Sequence, residues 1–287
     1  MTARKTGAAA LACAGVIAAG GLAGYEWPLA DPAVSRTFGT PVDRSYSLSV
    51  GVVSEKETVR AAEAGDVVFY SEGGDGPLEG MGAWIAVRHE ENLVSVYSGL
   101  RPGSVPAYLK RVGRGAVVGL AERSGDEDYE SGFMLYDREK SQWVNPLLFL
   151  SPIEDSKAPA IRSVALKRDA LPVDLSRTKF LRQGKSELIA SFGDTGAGTG
   201  AVNAPFQVQA VLNGVEALNL IWDVAREREG RMLLFSGDGK SCGEFALEDG
   251  TFRIGSLPIV RGRATLDLIV TDHARNSRTA SFSFQAD

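Results

Sequence analysis

The chain has 287 residues, 44% hydrophobic and 23% charged, enough for two ordinary globular domains each with its own core. A formal charge of −5, with no basic run or Lys/Arg stripe, speaks against nucleic acid as a partner. Two histidines and two cysteines leave little material for imidazole-rich metal sites or for disulfides.

Residues 1–24 have the pattern of a signal peptide or N-terminal anchor. Arg4 and Lys5 precede an uncharged run from Ala8 to Gly24, and Gly21-Leu22-Ala23 offers a cleavage site after Ala23. The run is short and glycine-rich for a spanning helix, so cleavage is the expectation, and membrane contact follows only if the segment stays uncleaved. Cys13 follows Ala10-Leu11-Ala12, an imperfect lipobox, and is itself followed by more apolar residues, so it reads as filler of the apolar run. Cys242 is then the only thiol of the mature chain and reads as a buried structural cysteine.

From Trp27-Pro28 and Phe38-Gly39 the chain passes a Gly51 turn and enters a β-meander. Gly65–Phe69 is followed by a turn rich in glycine (Gly73, Gly74, Gly76). Ala83–Arg88 and Leu93–Tyr97 then alternate apolar and polar residues, the period of half-buried strands. Val112–Gly119 and Val144-Asn145-Pro146 close this part, and Glu154–Pro159 is a polar linker containing proline. Beyond it, seven short alternating stretches predict a β-sandwich: Ile161–Leu166, Glu187–Phe192, Phe206–Leu212, Leu218–Trp222, Met232–Phe235, Ala264–Val270 and Thr279–Phe284. The expectation is an all-β protein of two domains, 25–153 and 157–287.

The ordered words "WP…FG", "VRAAEAGDVV", "GMGAWIAVRHEENLVSVY", "GRGAVVGLAERSG" and "WVNPLLFL" resemble the lysostaphin/LytM family of zinc peptidases that cut peptidoglycan cross-bridges. The resemblance covers residues 25–152 and implies a LytM-type antiparallel sheet. It also implies where zinc ligands and catalytic histidines would stand, and there the chain departs. The family's His-x-Gly-x-Asp turn reads Ser49-Val50-Gly51-Val52-Val53. Its Tyr-x-His-Leu motif reads Tyr97-Ser98-Gly99-Leu100. Its His-x-His, counted back without gaps from Val144-Asn145-Pro146, falls on Gly132 and Met134. The second part, from "APAIRSVAL" to "ATLDLIVTDHARNSRTASFSF", resembles bacterial immunoglobulin-like modules, with Asp272 and Asn276 in the turn before the last strand.

Other candidates read better as structure than as chemistry. His89 closes a strand and is expected to be structural. Asp272-His273 belongs to a turn, and no Gly-x-Ser-x-Gly supplies a nucleophile for it. Gly196–Gly200 lacks the strand, helix and Lys-Ser/Thr pair of a phosphate loop. The acidic run Asp126–Glu130 lacks the spacing and glycine of a calcium loop, and is expected to border the groove. Together these readings imply an exported, non-catalytic LytM-like factor without metal or cofactor. Ser49, Val53, Gly99, Gly132 and Met134 would line its groove, with Tyr97, Ser98, Asp126, Glu127 and Asp128 as contacts. Its expected partner is peptidoglycan or a cell-wall amidase. A working zinc endopeptidase and a purely structural envelope module are the competing readings.

Overall fold

A computed structural model describes residues 24–73, 81–125, 128–169, 171–194, 202–236, 239–247 and 250–287. The expected targeting segment with Cys13, the Gly196–Gly200 loop, and the groove contacts Asp126 and Glu127 lie outside these residues. The protein is all-β, as its alternating pattern predicts; among the described residues one four-residue α-helix (Cys242–Phe245) and a 3-10 turn (Pro146–Leu148) interrupt the strands. No helix among them is long and apolar enough to cross a membrane.

The meander read from the sequence is present as Gly65–Ser71, Ala83–Arg88 and Leu93–Leu100, paired antiparallel and joined by Asp128–Asp137. Val50–Ser54 pairs with the free stretch of Asp128–Asp137, so that Gly132 faces both Gly51 and Ser98 across two ladders. Alternation then sorts the side chains. Val50, Val52, Ile85, Val87, Tyr97, Phe133 and Leu135 enter one core. Ser49, Gly51, Ser98, Gly132 and Met134 are left on the opposite face, because successive residues of a strand point to opposite sides.

The second half is a sandwich of a four-stranded sheet (Val173–Asp174, Ala160–Lys167, Gly184–Gly193, Thr251–Ile259) and a five-stranded one. The latter contains Phe180–Leu181, Ser277–Ala286, Gly262–Thr271, Gln207–Leu212 and Val215–Ile221. Two details differ from the sequence reading. Thr251–Ile259 is a full strand that was not among the seven candidates. Arg231–Leu234, which contains most of the expected Met232–Phe235 strand, joins the other half instead. It pairs with Val224–Arg228, which pairs in turn with Gln142–Val144 through Trp143↔Ala225 and Val144↔Val224. One sheet of twelve strands therefore runs through both halves. The cores also interlock: Phe38 and Tyr46 are buried in the cluster built by Leu188, Phe192, Trp222, Phe245 and Leu268.

Candidate functional site

The face left by the alternation forms the floor of an open groove of about 750 Å³. Ser49, Ser98, Gly99, Gly132 and Met134 all line it, so four of the five positions at which the family would carry ligands or catalytic histidines converge. The convergence is tight at Gly132. A Cβ placed there would stand 2.4 Å from Ser98 Oγ and 3.5 Å from Ser49 Cβ. Ser98 Oγ donates to the Gly132 carbonyl at 3.4 Å, and Ser47 Oγ donates to the Ser49 carbonyl at 2.9 Å. Met134 is buried at the groove's end against Ala86 and Val96. Gly99 holds φ at +67°, a left-handed conformation in which an imidazole-bearing residue would be strained.

Three expected positions fall elsewhere. Val53 shares a face with Ser49 and Gly51 but lies one step past the groove, between Ala33 and Glu130 in the sheet. Tyr97 cannot face the groove, because it neighbours Ser98 in the same strand and so points to the other side. It is fully buried in the core. Asp128 is exposed at the end of its hairpin, opposite the groove residue Ser124, and does not itself line the groove.

One carboxylate of the acidic run does reach the groove. Glu130 Oε1 accepts from Ser35 Oγ at 2.6 Å, its Oε2 accepts from Ser124 Oγ at 3.2 Å, and Arg36 stands 3.8 Å away. Oε1 also lies 3.0 Å from where a Gly51 Cβ would be. The groove's remaining wall is the segment Val42–Leu48, with Arg44 and Asp43 at its tip. Sequence reasoning missed this wall, since nothing in a two-residue hairpin strand announces what it will stand beside.

Does zinc fit this groove? Its lining carries hydroxyls, bare glycines, the thioethers of Met81 and Met134, and the carboxylates of Asp43, Glu122 and Glu130, the last already bonded to Ser35 and Ser124, with no imidazole or thiolate. A catalytic zinc site needs about three nitrogen, oxygen or sulfur ligands and an open position. Among the described residues no three candidate ligand atoms meet in the groove, and the residues present do not fit the metal.

Three carboxylates do meet at the junction of the halves. Asp155, Asp194 and Asp272 each bring an oxygen to within 4.8 Å of the others. Asp155 was read from sequence as part of the linker and Asp272 as a turn residue, and that turn is formed: Asp272 accepts from the Asn276 backbone N–H at 2.8 Å and from its Nδ2 at 2.9 Å. Burial raises the Asp272 carboxyl against those hydrogen bonds, and Asp155 adds to the rise. Nearby, His273 Nε2 accepts from Asn145 Nδ2 at 2.9 Å, while its Nδ1 is buried and finds no partner among the described residues. Burial, and secondarily Arg275, pull this imidazole down to about 3.

His89 has no place in the groove. Its Nδ1–H donates to the Ala64 carbonyl at 2.8 Å, and Nε2 lies 2.8 Å from Ser95 Oγ. Ser95 Oγ is 3.2 Å from Tyr97 Oη, which accepts the Ala62 N–H at 2.7 Å. Burial lowers the imidazole and pushes the Tyr97 phenol up to about 12. This polar chain fastens the core beneath the sheet. Cys242 is likewise buried, and burial raises its thiol.

A protein-family model matches residues 158–287, while a search of curated proteins finds no match. Among solved structures, the chain is similar to one in the SpoIIQ–SpoIIIAH pore-forming complex, at 20% identity and a TM-score of 0.35. That similarity covers 45% of this chain and 91% of that one. It is also similar to the catalytic domain of the prophage-encoded M23 protein EnpA from Enterococcus faecalis. There the identity is 15% and the TM-score 0.34, over 42% of this chain and 94% of that one. Lysostaphin from Staphylococcus simulans is similar at 10% identity and a TM-score of 0.32, over 87% and 95%.

Proposed function

We propose that the protein is an exported, non-catalytic LytM-like factor whose groove binds peptidoglycan or a cell-wall hydrolase. The observation that carries this reading is the groove itself. The sheet still brings Ser49, Ser98, Gly99, Gly132 and Met134 to one open floor, yet none of these is an imidazole or a carboxylate. Hydrolysis by this family's chemistry needs a metal to acidify a bound water and to polarise the scissile carbonyl. A floor of hydroxyls, backbone and thioether has lost that capacity and kept a surface that can hold an extended ligand. The sequence motifs of residues 25–152 tie that ligand to the cell wall, and the N-terminal pattern supports export.

The test uses metal-free preparations of the mature chain. The protein is expected to carry no stoichiometric zinc, to release no muropeptides, and to pellet with purified sacculi or to change the rate of an added cell-wall amidase. One zinc per chain together with muropeptide release would replace this reading by the endopeptidase. Neither pelleting nor any change in amidase rate would leave the structural envelope module.

A further inference from the structure

The groove is not built by the first half alone. Its outer wall is an arm, Thr37–Leu48, whose hairpin pairs only Pro41–Val42 with Ser45–Tyr46. A hairpin so short has no stability of its own in water. Its position must come from what it is fastened to. Apart from Leu48, which also packs against Ala86, Val96 and Met134, those fastenings belong to the second half. The Thr37 N–H donates to Asn203 Oδ1 at 3.1 Å, and Thr37 Oγ1 donates to the Ala204 carbonyl at 2.9 Å. The Ala204 N–H donates back to Thr40 Oγ1 at 3.0 Å. Phe38 and Tyr46, on either side of the hairpin, are buried in the sandwich core. Gly39 lies flat on Trp222: a Cβ there would stand 2.3 Å from the indole Cδ1. The arm's other side, with Asp43, Arg44, Ser45 and Ser49 just beyond it, faces the groove.

We infer that this arm is a wall of the groove held in place by the second half, so that groove shape and the packing of the second half are coupled. A change at Asn203, Ala204 or Trp222 is transmitted along the arm to the groove without touching the floor at Ser49, Ser98 and Gly132. Conversely, a ligand that presses on Arg44 or Ser45 works against contacts located in the sandwich. The coupling matters for function only through the binding role proposed above, but its physical basis is independent of any ligand.

Hydrogen exchange on the full chain tests it without a ligand. Gly39 and Ser47 report the arm, because their amides donate to Ser47 O and Thr40 O. Leu93–Leu100 reports the sheet beneath. In Asn203→Ala, exchange over residues 37–48 is expected to rise about tenfold, the effect of one lost buried hydrogen bond, with Leu93–Leu100 unchanged. Trp222→Phe, which opens space under Gly39, should act in the same direction. An unchanged arm in both variants overturns the inference. Equal acceleration of arm and sheet overturns it too, since the arm would then open only with the whole fold. Pelleting with sacculi separates the two proposals. If wild type pellets, Asn203→Ala should pellet severalfold less, and equal pelleting despite a loosened arm would refute the wall's role. If wild type neither pellets nor changes the rate of an added amidase, the binding role fails while exchange still decides the coupling.

Discussion

The strand Leu93–Leu100 has two faces with opposite kinds of polar contact. Toward the core it sets Ser95 and Tyr97 in a hydrogen-bonded chain that runs from His89 to the Ala62 amide, every member fully engaged. Toward the groove it sets Ser98 beside Gly132 and Ser49, small residues whose hydroxyls make long or local contacts. The same strand thus carries a polar network buried in the core and a polar floor that lines the groove. Buried, mutually bonded polar groups mark the scaffold, and small polar side chains mark the groove face.

The comparison is broken most directly by truncating each face in turn. Tyr97→Ala empties a buried aromatic site and strands the Ala62 N–H, a loss of about 4 kcal/mol in urea unfolding. Ser98→Ala, one residue along, should cost within about 0.5 kcal/mol. If the two substitutions cost the same, the faces are not different in kind.

Gly39→Ala sharpens the same contrast at the arm. It forces a Cβ into Trp222 from a backbone at φ +78°, where a side chain is already disfavoured. The expected loss is about 2–3 kcal/mol. Gly132→Ala meets only the rotatable Ser98 hydroxyl and should cost less than about 1 kcal/mol, a difference that paired thermal melts resolve.

The buried network also makes stability depend on pH. Burial depresses the His89 imidazole below its unfolded value near 6.5, so the unfolded chain takes up a proton that the folded chain refuses. The stability from neutral His89 is therefore complete above about pH 6.5 and is lost as pH falls toward the folded value, by at most about 1.4 kcal/mol per pH unit. Wild type minus His89→Gln should show that slope on the acid side and none above pH 7.5.

Much of this was legible in the chain. Alternation marked Ala83–Arg88 and Leu93–Tyr97, the latter three residues short of the observed strand, and a count back from Val144 pointed to Gly132 and Met134, both of which line the groove. Strand parity alone would have moved Tyr97 off the groove list, since it and Ser98 are neighbours. The strand Thr251–Ile259 escaped for a local reason: its alternation is interrupted near Gly255 by a register shift, and Gly255 and Pro258 imitate a turn. What pairs with what was not legible at all. Arg231–Leu234 has an ordinary strand pattern, and nothing within it says that its neighbours lie in the other half. The meeting of Asp155, Asp194 and Asp272 is hidden in the same way, by three positions far apart in the chain.

The sheet that runs through both halves has a consequence for how the chain tolerates being shortened. Gln142–Val144 has neighbours on both sides only because Val224–Arg228 covers it. A product ending near residue 153 would present that strand as a bare edge, its amides and carbonyls open to any extended chain. Such a fragment is expected to self-associate as its concentration rises, which sedimentation would show, whereas the full chain supplies its own edge guard.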